Sequence, residues 1–168
     1  MADSRAAAKL NDKYRIGLDA RGAILYRGTG IGTYAYQLAH ELRKLHGGDV
    51  KYLMPGSEFC NLDFADTAVF SRLANSLNYY SDEFLPNWLS ENKIDLYHVP
   101  QNGIGLPTDC ACKRVVTIHD LIPYVYPETV GRSYLKQFLG QMSEIMRQAD
   151  GIITVSEYTK TDIMRYFD

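Results

Sequence analysis

Cysteine, charge imbalance and long apolar runs are all scarce in this chain. Its 168 residues hold three cysteines, Cys60, Cys110 and Cys112. One C-x-C pair and an odd remainder give neither a disulfide framework nor a second ligand pair at zinc spacing. The reading is reduced thiols in a cytosolic protein. The formal net charge is −2, so no bulk field draws nucleic acid to the chain. No stretch approaches the roughly 18 apolar residues that a membrane span needs, and the first residues lack a signal-type apolar core. The polar start "MADSRAAAKLND" is expected to fray. Residues 1–13 are therefore expected to be disordered and 14–168 to form a single domain.

What is present is ordinary for a soluble globular protein, with 46% apolar and 23% charged residues. The 13 tyrosines include several in loops. They suit a surface for polar ligands with flat faces, and equally a set of half-buried rings.

The chain alternates between two periodicities. "YRIGLDA" (Tyr14–Ala20), "VKYLM", "DLYHVP" (Asp95–Pro100), "RVVTIHD" (Arg114–Asp120) and "GIITVS" read as strands. The last two are apolar enough to be buried on both faces. Between them, Ile31, Tyr34, Leu38, Leu42 and Leu45 fall at helical spacing, with Gly47-Gly48 as the stop. "FLPNWLSENK" reads as a helix with Pro86 near its start. Leu135, Phe138, Leu139, Met142, Ile145, Met146 and Ala149 trace a helix face, and Ser156 can cap a final helix. Within residues 56–83, "TAVF" is a candidate strand and "SRLANSLNYY" is ambiguous. Strands alternating with helices imply an α/β fold: a Rossmann-like parallel sheet with helices on both faces. Ligands of such sheets sit beyond the carboxyl ends of the strands. The loops after Asp19, Pro100, His119 and Ser156 share that rim.

The stretch "RGTGIGTYAYQLAHEL" puts Gly28, Gly30 and Gly32 before a helix. It is not a dinucleotide fingerprint. The spacing is G-x-G-x-G, the glycines follow Asp19 at a distance, and the second strand ends in Met54-Pro55 with no carboxylate for a ribose. A Walker loop is excluded as well, because no Gly-Lys-Ser/Thr follows. Two readings stay open. Gly30 and Gly32 could let a phosphate reach the free N–H groups around Ile31, or the glycines could serve only a turn that needs positive φ.

Two histidines, His98 and His119, end adjacent or near-adjacent strands, and both are expected to face one crevice. His119 precedes Asp120 and a loop preshaped by Pro123 and Pro127. Asp120 is either a chemical group or the cap of a following turn. A metal site lacks a third ligand at local spacing. A hydrolase triad lacks the G-x-S-x-G elbow.

The motifs "IGLDAR", "GTGIGTYAYQLAHEL", "DLYHVPQNGIGLP", "RVVTIHDLIPYVYPE" and "ADGIITVSEYTKTDI", in this order, resemble the N-terminal half of a family-four glycosyltransferase of GT-B fold. The resemblance runs from about Tyr14 to Asp168 and is poorest over residues 56–90. It implies one acceptor-side, Rossmann-like half of a two-domain enzyme. That enzyme would transfer a hexose, with retention, from a nucleotide-sugar to a glycan or lipid-linked acceptor, as in cell-surface polysaccharide synthesis. It implies that Gly30, Ile31 and Gly32 reach the donor's phosphates and sugar. It further implies that His119 and Asp120 are the catalytic residues, with His119 beside the transferred sugar. His98, Asn102, Tyr124 and Ser156 would line the acceptor side. No metal or other cofactor is implied. The family's glutamate pair and nucleotide-gripping residues belong to a C-terminal domain and are not in this sequence. The chain is therefore expected to need that domain, in cis or as a partner chain, and to be inactive alone. A non-catalytic accessory subunit of a glycosyltransferase complex is the alternative. A cytoplasmic location with peripheral membrane contact completes the expectation.

Overall fold

A computed structural model describes residues 14–46, 50–53 and 84–167. The candidate elements within residues 56–83, the Gly47-Gly48 stop, Cys60 and the N-terminal segment lie outside the described residues. Among the described residues, five strands form one all-parallel sheet: β1 (Ile16–Asp19), β2 (Val50–Leu53), β3 (Leu96–Val99), β4 (Lys113–Ile118) and β5 (Gly151–Thr154). Their order is β2-β1-β3-β4-β5. Ile16 sits between Val50 and Leu96, Leu96 faces Lys113, and Val115 faces Gly151. The winding reverses between β1 and β3, and such a reversal opens a crevice at the carboxyl end of the sheet.

The helices are α1 (Gly22–Leu25), α2 (Gly30–His46), α3 (Phe84–Glu91), α4 (Ile122–Val125), α5 (Arg132–Gln148) and α6 (Glu157–Tyr166), with a 3₁₀ turn at Pro127–Thr129. Alternation along the strands divides the core into two layers. Tyr97, Val99, Val116 and Ile118 pack with Leu85 and Leu89 of α3 and with Phe138, Met142 and Ile145 of α5. Leu18 and Val50 face the other way, onto Ala39 with Leu38 and Leu42 of α2. The helix layers thus cover both faces, as a doubly wound α/β fold requires.

Two details differ from the sequence reading. In α2 the most deeply buried positions are Gly32, Ala35 and Ala39, while Leu45 is 64% exposed. Small residues let this helix lie close on the sheet, so its larger side chains flank the contact. Strand β5 is not buried on both faces: Ile152 is 39% and Ile153 43% exposed. Among the described residues it has only β4 as a neighbour, so it carries the burial of an edge strand rather than a central one.

Candidate functional site

The glycine loop resolves residue by residue. Gly28 has φ +81°, a conformation that glycine enters without steric cost. Thr29 then caps α2: its Oγ1 accepts the Gly32 N–H at 3.2 Å, and its carbonyl accepts the Thr33 N–H at 3.0 Å. A Cβ on Gly32 would lie 2.1 Å from the Tyr26 carbonyl oxygen. Gly32 is thus required by the protein's own backbone, and its N–H is already taken. A Cβ on Gly30 would meet nothing within 4 Å. The N–H groups of Gly30 and Ile31 have no partner among the described residues. They stand at the positive end of a 17-residue helix. Of the three glycines, only Gly30 has no internal reason to be glycine.

His119 follows the end of β4 and is gripped from three sides. Its N–H donates to Asn102 Oδ1 at 2.8 Å, and its carbonyl accepts the Thr159 hydroxyl at 2.9 Å. Its ring Nε2 lies 2.8 Å from the Pro100 carbonyl. A carbonyl only accepts, so this contact assigns the proton to Nε2 and leaves Nδ1 as the acceptor of the neutral ring. Nδ1 has no partner among the described residues. The Tyr34 ring meets the imidazole edge-on, with centroids 5.0 Å apart. Tyr34 sits one turn into α2, so the glycine loop and His119 are brought to the same end of the sheet.

Beneath them lies a buried polar support. Asn102 is fully buried at φ +54° and donates from Nδ2 to the Tyr134 hydroxyl at 3.0 Å. Burial pushes the Tyr134 phenol up to about 12, so it stays neutral. Thr117 Oγ1 is 2.8 Å from His98 Nε2 and 3.4 Å from the Tyr34 hydroxyl. Burial holds the His98 imidazole down to about 4, against a small opposing pull from Asp19. Asp19 is itself buried and grips Arg21 through two parallel contacts, Nε–Oδ1 at 2.8 Å and NH2–Oδ2 at 2.6 Å.

The structure gives the remaining candidate residues contacts within the fold. His98 and His119 are linked on one face of the sheet, since Tyr34 touches both the His119 ring and Thr117, the partner of His98. His98 lies within β3, only 7% exposed, with its Nε2 against Thr117 Oγ1 of the neighbouring strand. Asn102 spends both ends of its amide inside the fold. Both residues support the rim rather than line it. Asp120 Oδ1 accepts the Ile122 N–H at 3.0 Å, which is the turn-capping geometry. Tyr124 packs in an aromatic cluster with Phe138, Tyr166 and Phe167. Ser156 caps α6, accepting the Thr159 N–H at 3.1 Å. Thr159, which pins the His119 carbonyl, carried no sequence signal beyond its position three residues after a cap. Asn102 did carry one, since Asn-Gly favours a left-handed residue.

A cavity of about 560 Å³ opens elsewhere, between α3, the β3–β4 loop and α5, with Arg21, Leu106, Asp109 and Gln141 among its walls. None of the candidate residues lines it. Among the described residues, no cluster of three or more His, Cys, Asp or Glu is placed to hold a metal. No described helix is long and apolar enough to cross a membrane.

An all-parallel, doubly wound sheet with an open helix N-terminus and a clamped histidine at its carboxyl rim defines an α/β protein of the Rossmann-like class. The family model for Glycosyltransferase Family 4 matches residues 28–168. The chain belongs to that glycosyltransferase family, and its fold is that of one half of a GT-B enzyme. No curated protein and no solved structure matches it.

Proposed function

We propose that this domain is the acceptor-side half of a retaining hexosyltransferase and meets a nucleotide-sugar with the start of α2 and with His119. One observation carries the reading. Among the described residues, the N–H groups of Gly30 and Ile31 and the Nδ1 of His119 have no partner, and Tyr34, one turn into the same helix, meets the His119 ring. The departing diphosphate gains negative charge, and fixed N–H dipoles at a helix start stabilise that charge without reorganising. His119 Nδ1, its tautomer set by Pro100, accepts a hydroxyl of the transferred sugar and orients it. Asp120 holds the turn that follows. The acceptor, a glycan or lipid-linked sugar, enters along the α4 side of the rim, with peripheral membrane contact at the cytoplasmic face. The nucleotide is gripped by a C-terminal domain, in cis or as a separate chain, and no metal is required.

Calorimetry tests this reading. Nucleotide-sugars titrated into the chain alone should give little or no heat. Adding a family C-terminal domain should create binding that Gly30→Ala weakens. Equal binding with and without the second domain would overturn the division of labour.

A further inference from the structure

The loop from Pro100 to Cys112 joins two adjacent parallel strands without a helix and ends in a pair of thiols. Cys110 Sγ and Cys112 Sγ lie 3.5 Å apart, and Cys110 Sγ also points at the Cys112 carbonyl at 3.6 Å. Cys112 is buried in the main core, immediately before β4. Cys110 is half-buried against the same core and is the more accessible of the two. Residues two apart have Cα atoms within about 7.6 Å of each other. That limit overlaps the disulfide range of about 4.4–6.8 Å. Side-chain rotation with a small backbone adjustment therefore suffices to close the bond.

We propose that Cys110 and Cys112 are a reversible modification site that closes to an intrachain disulfide by exchange with a small-molecule disulfide of the glutathione class. The Cys110 thiolate attacks one sulfur of the oxidant and expels a thiolate, giving a mixed disulfide. The Cys112 thiolate then attacks the Cys110 sulfur and expels the second thiolate. Two protein thiols become one disulfide, the oxidant becomes two thiols, and the two protons pass to the released thiolates. The order follows from access. Burial pushes the Cys112 thiol up to about 12, which disfavours first attack from solvent, and its 3.5 Å contact with Cys110 Sγ is what makes it the thiol that resolves the mixed disulfide. The closed ring fixes residues 110–112 at the base of β4, next to Thr108, whose carbonyl accepts from the Arg114 guanidinium at 3.3 Å. It thereby stiffens the wall of the 560 Å³ cavity formed by Gly105–Asp109. So small a ring is readily reduced, so the pair reports a shift in redox balance rather than a permanent cross-link.

The test equilibrates the chain with oxidised and reduced glutathione at stepped ratios, in the Cys60→Ser background, followed by acid quench, alkylation and mass mapping. The expected product is monomeric, lighter by two hydrogens within the peptide holding both residues, and fully restored by dithiothreitol. Cys110→Ser should abolish it and leave Cys112 unmodified. Three results overturn the proposal: both thiols free across the whole range, a stable glutathione adduct on Cys110 without ring closure, or dimers joined through Cys110. The mass measurement on the otherwise unmutated chain decides the matter even if Cys110→Ser fails to fold.

Discussion

Gly30→Ala and Gly32→Ala should separate function from folding within one loop. The structure gives the two positions opposite surroundings. At Gly32 a new Cβ would stand 2.1 Å from the Tyr26 carbonyl, whereas ordinary contact begins at 3.4 Å. Helix and turn would have to part by more than an ångström. The obstacle is backbone closed by the Thr29 cap, not a mobile side chain. Overpacking costs of about 1–3 kcal/mol are usual, and this contact belongs at the upper end. For a domain of this size that is a fall in Tm of roughly 6–12 °C. At Gly30 the Cβ meets open space, and alanine in a helix is favoured over glycine by up to about 1 kcal/mol. Gly30→Ala should therefore hold or raise Tm while weakening donor binding in the assembled two-domain enzyme. Thermal unfolding with calorimetry on both variants decides it. Equal Tm loss at both positions would refute the loop geometry. Full donor affinity in Gly30→Ala would refute the loop's place in the site.

Other consequences follow from the buried support. His98 is held to about 4 in the fold against roughly 6.5 in an unfolded chain. Between those values the unfolded state binds a proton that the folded state refuses. Stability is therefore full above pH 6.5 and falls as pH drops toward 4, by at most about 3 kcal/mol from this group. Urea unfolding across that window should show the slope, and His98→Gln should remove most of it; an unchanged slope in the variant would sink the assignment. Asn102→Ala strips the partners of His119 N–H and Tyr134 and puts a Cβ-bearing residue other than Asn at φ +54°. A loss of about 3–5 kcal/mol is expected, with Asn102→Gly milder because glycine relieves the backbone strain; equal losses would remove strain from the explanation.

Much of the fold was legible because strand and helix periodicities differ and Gly, Pro and Ser punctuate them. The apolar runs around Tyr97 and Val116 sit where they were expected. "GIITV" reads as a central strand by composition alone, whereas the exposure of β5 follows from its having one neighbour among the described residues. His119 was legible as a rim residue, being one position beyond a strand. His98 was not, because its burial comes from Thr117 on the neighbouring strand, a contact that no local pattern signals. The roles of Gly28, Gly30 and Gly32 could not be told apart in the sequence. They differ through the positive φ of Gly28 and through the Tyr26 carbonyl, which a tight turn brings against Gly32. Thr159 and Tyr34 act through contacts 40 and 83 residues distant in sequence, on His119 and Thr117, and no local pattern signals such contacts.

The most direct test is the turnover of His119→Ala in a two-domain enzyme containing this chain, read with its Tm. Because the backbone N–H and carbonyl of residue 119 carry the clamp, alanine should keep the fold near its native stability. kcat/KM should fall about 100-fold, with Tm changed by only a few degrees. Full turnover in a folded His119→Ala enzyme would contradict this expectation.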